Sequence, residues 1–221
     1  MRSVRIFFEK KGLARFISHL DLMRCFSRAV KRAGIDIWYT EGYNPRPYMN
    51  FSLPLPLGTE SLCESVDIRT NDEMPFDEIR SRLNSVMPDG IYITAVSQPL
   101  HKQEEIALAD FTAILYTDAP DSVANELSEK LESAEINIEK KAKQGKKKVI
   151  KQVNIKPNII KYSLETGEDR VTIKMTLTNG MRNNTNPVTL LAAVTEGIAD
   201  KISDMLITKE KMYIGNSEEF R

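Results

Sequence analysis

The sequence predicts an α+β fold made of two successive units, each with its elements in the order β-α-β-β-α-β. Three observations carry this expectation. Short runs of β-branched and aromatic residues alternate with apolar stripes of helical spacing. The order of elements in the first half can be read again in the second. The composition is that of a globular chain, with 41% hydrophobic and 28% charged residues and only 10 Gly and 10 Pro among 221 residues, which excludes collagen-like and disordered classes.

In the first half, Val4-Arg5-Ile6-Phe7-Phe8 reads as a strand. Ser18-His19-Leu20-Asp21 has the spacing of a capping box, in which a hydroxyl takes a free backbone N–H and an acid reaches back. Met23, Phe26, Val30 and Ala33 then form one apolar helical stripe, and Gly34 sits where a helix C′ residue belongs. Residues 35–40 and 64–69 are the next strands. Phe76, Ile79, Leu83 and Val86 mark a second helix, and residues 91–96 a fourth strand.

The second half repeats the order. A strand at 111–117 is followed by a helix with Asp118 or a neighbour as its cap and Val123, Leu127, Leu131 and Ala134 as its stripe. Strands follow at 135–139 and 171–178. Asn186-Pro187 opens a helix whose stripe runs through Leu191, Val194, Ile198, Ile202 and Met205, and residues 211–214 close the sheet. Two such units are a pair of ferredoxin-like domains with antiparallel sheets and helices on one face, spanning 1–100 and 105–221, with a Lys-rich insertion at 140–161.

Charge is unevenly spread. Lys+Arg and Asp+Glu both number 31. Residues 1–50 nevertheless hold ten basic and four acidic side chains, 51–139 hold five basic and eighteen acidic, and 140–161 hold nine Lys and no acid. Basic regions flanking an acidic one suit an anionic partner on one face. Arg24, Arg28, Lys31 and Arg32 lie along one face of the first helix, the arrangement of a phosphate-tracking ridge. The segment Glu41-Gly42-Tyr43-Asn44-Pro45-Arg46-Pro47-Tyr48 is stiffened by proline and mixes aromatic rings with a cation, which suits an unpaired base held by Tyr43, Asn44, Arg46 and Tyr48. Lys146, Lys147 and Lys148 add a run of charge.

Catalytic signals are sparse. His19 is the single candidate general base for metal-independent RNA cleavage, but its place in the first turn is explained by the helix start, where a protonated His is not favoured. Cys25 and Cys63 form no Cys-x-x-Cys pair, no zinc spacing is present, and neither is a Cys-x3-Cys-x2-Cys iron–sulfur motif. Phosphate-loop and serine-nucleophile motifs are also lacking. No metal or cofactor is expected. The start of the chain lacks a signal-peptide core, no run is long enough to span a bilayer, and a reducing cytoplasmic setting is expected.

The stretch from Arg15 to Arg24, then Ala33-Gly34, Glu41-Gly42-Tyr43-Asn44-Pro45-Arg46-Pro47 and Phe51-Ser52-Leu53-Pro54-Leu55-Pro56-Leu57-Gly58-Thr59-Glu60-Ser61, resembles a bacterial family called radical SAM-linked proteins, a domain of unknown function. Members occur alone or joined to a radical SAM enzyme with a cobalamin-binding domain. The resemblance is strong over about residues 2–70. It implies such an enzyme as partner, with this chain as a non-catalytic accessory or substrate-binding protein in RNA modification. The family pattern often has His where Arg46 stands, which argues against His chemistry in the loop. The double ferredoxin-like plan also resembles CRISPR repeat-processing endoribonucleases. Their glycine-rich loop has no counterpart around Gly180, Gly197 and Gly215, so that likeness is one of architecture. An RNA-processing enzyme and a protein–protein adaptor without RNA contact are the alternatives.

Overall fold

The protein, here a computed structural model, is described for residues 1–144, 147–215 and 217–221. The backbone forms two compact units, Met1–Ile106 with Lys209–Arg221, and Ala107–Thr208. Both are α+β with antiparallel strands, the class the sequence predicts.

The first unit runs β1 (Arg2–Lys10), α1 (His19–Arg32), β2 (Met49–Phe51), β3 (Thr59–Thr70), α2 (Phe76–Asn84) and β4 (Ile91–Ser97). β1 lies between β3 and β4, and β2 adds to β3 through Met49–Ile68 and Phe51–Val66. Alternation along β1 sends Val4, Ile6 and Phe8 to one face. There they meet Leu22, Phe26, Ala29 and Val30 of α1 and Ile79 and Leu83 of α2 in one core. Each of these side chains contributes about 1.5–3 kcal/mol by leaving water. Phe8, Phe26 and Phe51 stack at one end of this layer, with Phe8–Phe26 centroids 4.8 Å apart.

α1 begins as its sequence suggests. Asp21 N–H donates to Ser18 Oγ at 3.2 Å, and the Ser18 hydroxyl donates to Asp21 Oδ2 at 2.7 Å. The acid therefore reaches the cap hydroxyl rather than the cap backbone N–H. Gly34, at φ +65°, ends the helix in the left-handed region. At the turn before β4, a Cβ on Gly90 would lie 2.5 Å from the Lys11 carbonyl oxygen, so this close approach requires glycine.

Residues 35–40 do not form a regular strand. Ile37 bridges to Thr70 and Tyr39 to Pro47, while Trp38 N–H donates to Arg69 O and Tyr48 N–H to Trp38 O. Prolines at 45 and 47 supply no amide donors, so a regular ladder cannot continue. The segment 38–48 is instead an irregular hairpin, tied by Thr40 N–H to Arg46 O and by Arg46 N–H to Thr40 Oγ1. Its tip carries Tyr43.

The second unit runs β5 (Ile106–Tyr116), α3 (Pro120–Glu132), β6 (Asn137–Gln144), β7 (Lys147–Asn154), β8 (Ile159–Thr166), β9 (Arg170–Thr178), α4 (Pro187–Val194) and β10 (Asp204–Ile214). From Lys209 onward, β10 belongs to the first unit and pairs with β3. β5 lies between β10 and β9, and β8 pairs on the far side of β9. Residues 135–139 were expected in the sheet, but β6 forms a separate ribbon with β7. The place beside β9 goes to β8, which joins β9 through a tight turn closed by Gly167 N–H to Arg170 O.

α4 is also shorter than its apolar stripe suggests. Asn186 Oδ1 caps it by accepting from Val188 N–H. The helix stops at Val194 because Gly197 turns left-handed, at φ +91°. Ile198 then precedes a 3-10 turn, and Met205 lies in β10.

Candidate anion-binding site

Arg24, Arg28 and Arg32 recur every fourth residue along α1, so their side chains leave one face at successive turns, about 6 Å apart along the axis. With Asp21, Cys25 and Pro88 they line a depression of ≈ 350 Å³. Arg24 pairs with Asp21 at 3.0 Å, and Arg32 donates to the Val86 carbonyl at 2.7 Å. Arg28 has no hydrogen-bond or ion-pair partner among the described residues, and neither has the neighbouring Lys31. The Ser18 hydroxyl and the Arg24 guanidinium hold the Asp21 carboxyl below its ordinary pKa. Burial raises the Cys25 thiol pKa, against the opposing pull of Arg32 and Arg28. The depression is thus cationic and offers one unengaged guanidinium.

The remaining candidates lie elsewhere. Tyr43 is fully exposed at the hairpin tip, with Asn44 and Arg46 also exposed, and none of the three lines the arginine depression. Tyr48 is half-buried under the Arg69 guanidinium, 4.5 Å from its ring centroid. His19 packs edge-on against Phe51 at 5.6 Å, the position of a packing residue at the end of the core. Lys147 and Lys148 belong to β7, and Lys146 lies outside the described residues. Lys140 faces Lys151 across the β6–β7 ribbon, so like charges oppose one another there.

The helix-free face of the first unit holds groups that sequence reasoning missed. Arg5 is completely buried, forks onto both oxygens of Asp67 at 2.7 and 2.8 Å, donates to the Arg221 carbonyl, and lies over the Phe220 ring. A polar cavity of ≈ 580 Å³ opens beside it, lined among others by Ser3, Tyr48, Asn50, Arg69, Gln98 and Lys102. The alternation of Asp67 and Arg69 with Val66 and Ile68 was the signal that could have found this face.

A second cavity on the same unit is mainly apolar and has Cys63 in its wall. Burial pushes the Cys63 thiol up to about 12, with the Lys209 charge opposing. At pH 8 its thiolate fraction is roughly a thousandfold below that of an ordinary cysteine. Cys63 is therefore expected to resist iodoacetamide at pH 8 until the protein unfolds, as read by peptide mass spectrometry. Labelling of the native protein at the rate of a free thiol would contradict this raised pKa of a half-buried thiol.

Among the described residues, no group of three or more His, Cys, Asp and Glu side chains is placed to hold a metal ion, and no helix is long and apolar enough to cross a membrane. The fold and site together define an α+β protein with a cationic helix face and a polar cavity on its open sheet. The chain belongs to the family described as "Uncharacterized protein conserved in bacteria (DUF2344)", whose pattern matches residues 3–187. No curated protein matches the chain. Among solved structures, it is similar to a chain of the crystal structure of a Cbf5-Nop10-Gar1 complex, at 9% identity and a TM-score of 0.48, covering 95% of this chain and 48% of that one. It is also similar to an unknown protein from Galdieria sulphuraria, at 13% identity and a TM-score of 0.28, covering 94% and 98%.

Proposed function

We propose that this protein is a non-catalytic accessory or substrate-binding component that engages RNA in the cytoplasm, beside a radical SAM enzyme with a cobalamin-binding domain. One observation carries the RNA reading: three arginines converge on one depression, and Arg28 there has no hydrogen-bond or ion-pair partner among the described residues. Arginine suits phosphate because its planar fork matches paired oxygens, and each contact releases condensed counterions. The enzyme partner rests on the resemblance of residues 15–61 to radical SAM-linked proteins. The reading of both units as ferredoxin-like is supported by their sheet orders. These are β4-β1-β3-β2 in the first and β10-β5-β9-β8 in the second, with the β6–β7 ribbon as an insertion.

A second reading, a protein–protein adaptor, is favoured by exposed apolar side chains around the start of α1. Leu13, Phe16 and Leu20 project to solvent there, as does Leu57, which is tied to this region by Gly58 N–H donating to Arg15 O. Affinity capture from the native cell, with and without nuclease, separates the two. RNA recovered with the protein and lost on nuclease treatment supports the first. A radical SAM enzyme retained after nuclease, with no RNA in either arm, supports the adaptor and overturns the RNA reading.

A further inference from the structure

The polar cavity on the helix-free face differs from the arginine depression in shape and in chemistry. Its volume of ≈ 580 Å³ lies within the range of small-molecule sites and far exceeds the need of a lone inorganic anion. The cavity wall is tethered, since Gln103 Nε2 donates to the Asn50 carbonyl at 2.8 Å and holds the 98–104 segment against β2. The Asp67 carboxylate is consumed by Arg5, so it does not neutralise the neighbouring cation.

That cation is Arg69. Its guanidinium lies 4.5 Å from the Tyr48 ring centroid and 5.5 Å from that of Trp38, which fixes its position. It has no hydrogen-bond or ion-pair partner among the described residues, so its N–H groups remain available. The same lining holds neutral groups that both donate and accept, namely the Ser3 hydroxyl, the Asn50 and Gln98 amides and the Tyr48 phenol, and at its exposed rim the Lys102 ammonium offsets the Glu104 carboxylate. One fixed guanidinium fork beside several neutral donor–acceptor groups matches a ligand with one phosphate and a polar heterocycle.

We propose that this cavity binds a single nucleotide, with Arg69 holding the phosphate and Ser3, Asn50 and Gln98 reading the sugar and base. The nucleotide is either free or an unpaired residue of an RNA strand; only the second source rests on the RNA reading above. Binding beside Arg69 changes the field on Trp38, the single tryptophan of the chain, so red-edge tryptophan fluorescence reports occupancy.

The full-length protein is titrated with each of the four nucleoside monophosphates, with inorganic phosphate, and with short single-stranded RNA. At least one monophosphate is expected to bind tenfold or more tightly than inorganic phosphate. Arg69→Gln is expected to weaken that binding at least tenfold. Because Arg69 stacks on two rings, Asn50→Asp serves as a second variant. It places a carboxylate at an exposed position of the cavity and is expected to weaken binding similarly without touching the stack. No binding of any monophosphate or of RNA, or binding unaffected by both variants, overturns the proposal. RNA binding that depends on Arg28 but not on Arg69 or Asn50 overturns the cavity and spares the RNA reading. Monophosphate binding without RNA binding does the reverse.

Discussion

Lys209→Met is expected to destabilise the first unit by about 3–5 kcal/mol, the cost of leaving a buried charge without its partner. Lys209 is 1% exposed and Glu64 4%, and the two form a salt bridge. Ser61 Oγ donates to Glu64 Oε1 at 2.8 Å, and the Lys10 ammonium, also buried, donates to the Ile17 carbonyl. Without Lys209, the Glu64 carboxylate keeps one hydroxyl donor in a site closed to water. Removing both charges, as in Lys209→Met with Glu64→Leu, is expected to recover most of the loss, because desolvation of both ions is then avoided. Urea unfolding followed by Trp38 fluorescence reads this unit, since Trp38 belongs to it. A Lys209→Met midpoint equal to that of the parent protein would contradict the buried pair.

The pair also sets a pH dependence. Burial on its own would lower the Lys209 pKa, but the Glu64 charge, the neighbouring Cys63 and the hydrogen bond to Glu64 together outweigh it, and the pKa is raised from 10.5. A raised lysine contributes stability that is fully present below 10.5 and declines as the pH climbs through the folded value. The parent protein is therefore expected to lose stability in strong alkali more steeply than the double variant.

Replacing Arg24, Arg28 and Arg32 together with alanine is expected to lower affinity for single-stranded RNA by roughly two to three decades at 50 mM salt. Three lost phosphate contacts should also flatten the slope of log affinity against log salt by about two. All three side chains are exposed, and only the surface contacts of Arg24 with Asp21 and of Arg32 with the Val86 carbonyl are lost, so stability should fall by about 1–2 kcal/mol at most. Fluorescence anisotropy across a salt series measures both quantities. An unchanged slope in the triple variant would remove α1 from the interface.

Much of the fold was legible because its signals are local. The two-residue alternation of β1, the stripe of Phe26, Val30 and Ala33, the Ser18 cap and the Gly34 stop each depend on neighbours within a turn or two, whereas Met23, expected on that stripe, is exposed and Leu22 is buried in its place. Asn186-Pro187 announced α4 for the same reason. Its end was misjudged because an apolar stripe continued past Gly197, whose backbone conformation outranked the periodicity. Residues 35–40 looked like a strand by composition, yet the prolines at 45 and 47 denied a partner strand its donors. The strand 159–166 was missed because only its hairpin with β9 gives it a place.

The candidate site divides along the same line. The arginine ridge could be read from sequence, since positions four apart on a helix share a face whatever surrounds them. The polar cavity could not, because Arg69, Asn50 and Gln98 converge only through pairing of β3 with β1 and β2 and through the Gln103 tether. The sequence by itself thus determined the α+β class, the caps of α1 and α4 and the basic face of α1, all set by spacing along one element; the cap expected at Asp118 is not formed, since α3 starts from Ala119 without a side-chain cap. Only the tertiary structure decided which charges are buried and paired. Arg5 meets Asp67, and Glu64 meets Lys209, through strand pairings between distant stretches of chain. The stability of such pairs depends on desolvation, and desolvation is a property of the packed fold rather than of any one segment.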